Sequence, residues 1–214
     1  MPNWVHNDMT ITGPAEEIAR FKQTCIRPNY WDDDEKPFFD FNELIPMPMV
    51  LEGTESSSVV GEALIALGRA DLAPEWLISA LEKTETPRHE PDAKDLAKAQ
   101  HSIMAFEQTG ACNWYDWKCK NWGTKWNSCR FSEGEDEEGR YAISFDTAWS
   151  PPIPIWEKLG EMFPSLDIAI SVGEEMGNFA YEGGIRGGKL ELREGPVVWR
   201  ELPPTDKPTS LDVG

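Results

Sequence analysis

The sequence predicts an α+β fold, an antiparallel sheet with two helices packed on it and a helical insertion. Three observations predict it. Apolar residues alternate with period two over 3–12, 140–149 and 166–172. They recur at helical spacing over 15–26 and 153–163. Between about residues 50 and 110 the alternation is lost, and apolar stripes of helical period take its place.

In the first strand Val5, Met9 and Ile11 share one face, and Trp4, His6, Asp8 and Thr10 the other. Gly13 and Pro14 end it. Pro14 also opens a helix, since proline is tolerated in a first turn, and Glu16 and Glu17 suit the positive end of that helix. Its stripe is Ile18, Phe21, Cys25 and Ile26. Residues 28–37 form an acidic loop. Residues 38–49 carry Pro46 and Pro48 and read as extended, because proline pushes its predecessor out of the helical region. Ser56, Ser57 and Ser58 form a cap region. Three stripes follow: Val59, Val60, Ala63, Leu64 and Leu67; then Trp76, Leu77, Ala80 and Leu81; then Leu96, Ala99, Ile103 and Phe106.

Period two returns at Tyr115. Residues 115–131 and 140–149 read as aromatic-rich strands, with Gly123 as a bulge and the acidic run 133–139 as the hairpin tip. Tyr141, Ile143 and Phe145 face the core, and Ser144 and Asp146 face away. The segment 147–152 is a proline corner with Ser150 as cap. Ile155, Trp156, Leu159 and Phe163 give the second core helix, which Pro164 stops. Leu166, Ile168, Ile170 and Val172 alternate as a strand. The glycine-rich 173–188 reads as loop with irregular strand, 189–200 as a closing hairpin, and 203–214 as a flexible tail.

Without the insertion the order is strand, helix, strand, strand, helix, strand. That is the split βαβ or ferredoxin-like arrangement. Residues 1–49 supply its first strand, helix and extended segment. Residues 50–110 are the insertion, and 111–202 complete the sheet and carry the second helix. Both helices lie on one sheet face, so His6, Asp8, Ser144 and Asp146 fall on the other. That face is solvated, covered by the insertion, or used for binding.

Composition bounds function. With 38 acidic residues against 20 Lys and Arg, the net charge is −18. Such a surface repels nucleic-acid phosphates and anionic headgroups and favours basic partners. The four cysteines fit no paired metal-ligand spacing, and reduced thiols are expected. The amino terminus has no apolar leader and no run is long enough to span a bilayer, so the expected location is cytoplasmic. No nucleophile elbow, phosphate loop or dinucleotide fingerprint occurs. No cofactor, no metal and no catalytic residue are therefore expected.

Four segments carry a family resemblance: Met1-Pro2-Asn3-Trp4 with Asn7, Ile11 and Gly13; Phe39-Asp40-Phe41-Asn42 with Ile45-Pro46-Met47-Pro48; Asn121-Trp122-Gly123-Thr124-Lys125-Trp126-Asn127; and Thr147-Ala148-Trp149-Ser150-Pro151-Pro152-Ile153-Pro154. In these the chain resembles the YubB-like proteins, a family of unknown function from plasmids and phages. The resemblance implies a C-terminal ferredoxin-like domain and brings no enzyme activity with it.

The strongest local signal for binding is 121–127. Trp122 or Trp126 can stack on a flat ligand, Lys125 can meet an anion, and Asn121, Thr124 and Asn127 can supply polar contacts. Asp146 and Trp149 complete the candidate site. Equally, these tryptophans can be core, the amides can satisfy backbone groups, and Lys125 can pair with a surface carboxylate. Two functions fit the sequence. One is an acidic accessory protein that binds a basic host or defence protein, with mimicry of nucleic-acid charge as its specific form. The other is a nucleotide-like ligand site, with or without catalysis, at the Trp-rich segment. Single-stranded nucleic acid on the open sheet face is a third arrangement, which the charge disfavours.

Overall fold

The computed structural model describes residues 3–28, 36–83 and 90–195. Strand β1 (Trp4–Thr12) leads into helix α1 (Ala15–Cys25), and a short ribbon follows, β2 (Ile26–Pro28) with β3 (Pro37–Phe39). After two 3-10 turns come α2 (Ser58–Ala66), α3 (Glu75–Leu81), α4 (Ala93–Thr109) and α5 (Trp114–Asn121). The chain then forms β4 (Cys129–Glu137), β5 (Arg140–Ala148), α6 (Ile153–Met162), β6 (Asp167–Glu174), β7 (Ala180–Arg186) and β8 (Lys189–Glu194).

The large sheet runs β4-β5-β1-β6-β7-β8 and is antiparallel throughout. Its first four strands have the ferredoxin-like order, with β1 at the centre between β5 and β6. The hairpin β7–β8 widens the sheet beyond that frame. Every second residue of β1 is buried, Val5 through Ile11. The same alternation holds in β6. These residues meet Phe21 of α1 and Ile155, Trp156 and Leu159 of α6 in one core. Asn7 shares that inward face, which the alternation assigned to apolar residues alone. Its Nδ2 donates to Val5 O, Phe145 O and Thr147 Oγ1 at 2.9–3.3 Å.

The insertion packs at one end of the core rather than across the open face. Val60, Ala63, Leu64 and Ala99 form a small core of their own. Leu51, Ala105, Ala111, Trp117 and Trp122 belong to the main one. On the open face Ala169 and Ser171 are exposed. Among the described residues, no helix is long and apolar enough to cross a membrane.

Seven local expectations are corrected. Residues 114–121 are helix, not strand. Asn113 caps it, accepting from Asp116 N at 2.9 Å, with Asp116 in the first turn and Lys118 and Lys120 in the last. The aromatic side chains suit a strand, but the cap and the end charges decide otherwise. Gly123 accordingly ends a helix rather than marking a bulge. Its φ is +79°, and a Cβ there would lie 2.8 Å from Pro154 Cδ. Ser150 caps no helix: its hydroxyl donates to Gly123 O, and Pro152 precedes α6 without a side-chain cap.

The acidic run from Glu133 is not a hairpin tip. It lies in edge strand β4, and the turn is only Glu138 and Gly139. Carboxylates along an exposed edge discourage pairing with another chain. The glycine-rich 173–188 holds the end of β6 and all of β7, so it is mostly regular strand. Ile26 starts β2 rather than ending the helix. Residues 38–49 are a short strand end plus 3-10 turns. The flexible-tail expectation for 203–214 lies outside the described residues.

Candidate functional site

Three separated segments meet at the carboxyl end of β5: the start of β1, the stretch 115–130, and the corner after β5. Together they build a strip in which rings and cations alternate. The Arg130 guanidinium lies 4.5 Å over the Trp4 ring. Trp4 packs on Trp126 at 5.9 Å between centroids. The Lys125 ammonium then faces three rings, Trp126 at 4.8 Å, Trp149 at 5.0 Å and Tyr115 at 5.7 Å. Tyr115 meets Trp149 edge-on at 6.0 Å. Each contact of Lys125 or Arg130 draws a cation toward the negative face of a π system.

Buried polar contacts hold the strip. Thr124 Oγ1 donates to Ala148 O at 2.9 Å and accepts from Ala148 N at 3.2 Å, which ties 121–127 to the end of β5. Asn127 Oδ1 accepts from Phe41 N and Ser128 N, both at 2.9 Å, and its Nδ2 donates to Asp40 at 2.7 Å. Asn121 Nδ2 donates to Trp117 O within its own helix. Trp122 is 2% exposed, and its indole N–H donates to Ile45 O at 2.8 Å. Of the residues singled out in the sequence, Lys125, Trp126 and Trp149 form the surface strip. Trp122, Thr124, Asn121 and Asn127 lie behind it and use polar groups on the chain itself.

Asp146 supports the strip from the sheet. One oxygen accepts from Arg130 Nη1 at 3.0 Å, the other from His6 Nδ1 at 2.8 Å, and His6 Nε2 reaches Asp8 at 3.2 Å. Hydrogen bonds to Asp146 and then Asp8 raise the His6 pKa to about 9, against the opposing effect of burial. His6 is therefore an imidazolium at neutral pH, donating to both carboxylates. Because this pKa lies above the ordinary unfolded value of about 6.5, its stabilisation is complete below that pH and is lost as pH rises through about 9. In Asp146→Asn the His6 pKa should fall back toward the ordinary range, read by the NMR titration of its ring. The stability cost is at most about 1 kcal/mol, because the His6 side chain is 36% exposed. A wild-type His6 titrating near 6.5 would contradict the bridge.

Among the described residues, two non-glycine residues have positive φ, Arg130 at +49° and Trp149 at +71°, and both belong to this cluster. Left-handed backbone is unfavourable for such residues and persists only where the surroundings impose it. At Trp149 the chain has turned out of β5, with its N–H bonded to Asn3 O at 2.9 Å, and the ring is left 43% exposed.

The period-two reading of β1 placed His6 and Asp8 on the polar face. Trp4 sits two residues from His6 on the same face and was legible by the same rule. Arg130 and Tyr115 were not, because α5 and the irregular start of β4 bring them in. Among the described residues, no group of three or more His, Cys, Asp or Glu side chains is placed to hold a metal ion. The thiols carry no activated character: burial pushes Cys25 up to about 12 and Cys112 up to about 11.

The sheet order and two-helix layer define the class, a ferredoxin-like α+β protein. Residues 121–207 match the family model described as "Ferredoxin-like domain in Api92-like protein". The fold as a whole is similar to the crystal structure of the protein Api92 from Yersinia pseudotuberculosis, at 12% identity and a TM-score of 0.50, over 92% of this chain and 99% of that one. No curated protein matches the sequence.

Proposed function

We propose that this chain is a non-enzymatic accessory protein of a plasmid or phage that binds a basic host or defence protein through the Trp4–Trp126–Lys125–Trp149–Tyr115 strip. The observation that carries the reading is the strip itself, half-exposed aromatics with Trp149 held outward on left-handed backbone, on a chain of net charge −18. Tryptophan, tyrosine and arginine are the side chains that dominate binding energy at protein interfaces. Ring faces that already hold Lys125 and Arg130 have the chemistry to accept a partner's lysine or arginine. An acidic field steers such a partner in. The genomic habitat comes from the YubB-like resemblance. Mimicry of nucleic-acid charge is the specific form of the reading, supported by the exposed acidic edge of β4. Nucleic acid itself fits less well, because Asp8 and Asp146 occupy the open face beside the rings.

Affinity capture from host lysate, with washes at low and high salt, tests this reading. The expected capture is a basic protein lost at high salt. For the partner so found, Trp126→Ala and Trp149→Gly each weaken binding by about 2 kcal/mol, roughly thirtyfold. Trp149→Gly should leave stability within about 1 kcal/mol of wild type, because glycine relieves the left-handed backbone while the ring contacts are lost. No capture at low salt, an affinity flat with salt, or full binding by both variants would refute the proposal.

A further inference from the structure

Outside the strip, an open pocket of about 390 Å³ lies between α2, the start of α3, α4 and the start of α5. That size suits a small molecule. Leu64 gives it an apolar wall, Trp76 and Tyr115 give aromatic ones, and Glu55 and Asp116 bring carboxylates to it. Ser102 of α4 also lines it. This side chain is the informative one: Ser102 is 1% exposed, and its hydroxyl has no hydrogen-bond partner. A buried hydroxyl without a partner costs free energy, and Ser102 borders the pocket, where one could be supplied by a small side-chain rotation.

The lining also selects by charge. None of the described lining residues is Lys, Arg or His. A phosphate or carboxylate would meet the Asp116 carboxylate and find no cation among the described lining residues, and the nearby Lys98 is already paired with Glu55. An ammonium group meets the opposite conditions. Glu55 is already paired with Lys98 at 2.8 Å. Asp116 accepts from Asn113 Nδ2 at 2.7 Å through one oxygen, and a carboxylate has capacity for further donors. The rings of Trp76 and Tyr115 favour a cation or a flat apolar body.

We infer that this pocket binds a small organic amine, with Ser102 Oγ and Asp116 taking the ammonium and Trp76 and Tyr115 taking the apolar body. The site shares only Tyr115 with the surface strip and does not depend on the partner proposed above.

Calorimetric titration of the full chain with phenethylamine, phenethyl alcohol and phenylacetate tests it. The three share a ring and differ in charge. Phenethylamine should bind saturably, at least about tenfold more tightly than the alcohol, the equivalent of one good hydrogen bond or ion contact. Phenylacetate should not bind. Ser102→Ala should weaken the amine by about tenfold while leaving the melting temperature equal or higher, because it removes an unpartnered hydroxyl. Trp76→Ala should also weaken binding, and since Trp76 is 57% exposed its loss does not threaten the fold. No saturable phenethylamine binding overturns the inference, as does equal binding of all three compounds. Unchanged amine affinity in both variants overturns it as well.

Discussion

Trp122→Ala should lower stability by about 3–5 kcal/mol, as measured by urea unfolding. The ring lies in the core at 2% exposure, edge-on to Phe41 at 5.9 Å and to Trp117 at 6.0 Å. Its truncation opens a cavity where α5 meets the sheet core. It also leaves Ile45 O without the indole donor now 2.8 Å away. Lys118 loses a ring that its ammonium approaches to 4.6 Å. Burial already holds the Lys118 pKa below its ordinary value. Trp122→Phe separates the two contributions: it keeps most of the packing, loses the hydrogen bond, and should cost about 1–2 kcal/mol. An alanine variant within about 1 kcal/mol of wild type would show that the ring is not part of the core.

The second large effect is expected at β7. A Cβ on Gly183 would sit 2.0 Å from Glu191 O, and one on Gly184 would sit 2.1 Å from Ile168 O. Both obstacles are backbone atoms of the neighbouring strands, so no side-chain rotation relieves them. Gly183→Ala should therefore force β7 and β8 apart, at a cost above about 3 kcal/mol. Hydrogen exchange should show protection lost in β7 and β8 while β1 and β5 keep theirs. Gly187 provides the control. Its φ is +53° with open space around it, so alanine there should cost only about 1 kcal/mol. Equal effects at 183 and 187 would contradict the close backbone approach.

The same two regions show why the sequence was legible in part. The core strands announce themselves through alternation, because a strand covered on one face must repeat apolar residues every second position. Gly183 and Gly184 break that signal. They look like loop residues, yet they are glycine because neighbouring backbones leave no room for a side chain. Trp122 and Trp126 present a related ambiguity. They lie four apart in one motif, and one is core while the other is surface. Composition treats them alike. Their fates diverge because α5 ends at Asn121 and the chain then turns at Gly123.

By itself the sequence determined the frame of this protein. The two core helices, strands β1, β5 and β6, the ferredoxin-like order and the acidic surface all follow from local patterns, and each pattern reports the burial demands of its own segment. The tertiary structure decided which of the tryptophans reach solvent, how Asp146 links His6 to Arg130, and where Lys125 finds its three rings. It also decided that the insertion borders an open pocket beside the start of α5. Those outcomes depend on contacts between residues up to about 140 positions apart, such as His6 with Asp146. No local period encodes such contacts. They arise when sheet register and helix ends bring distant side chains within a few ångströms of each other.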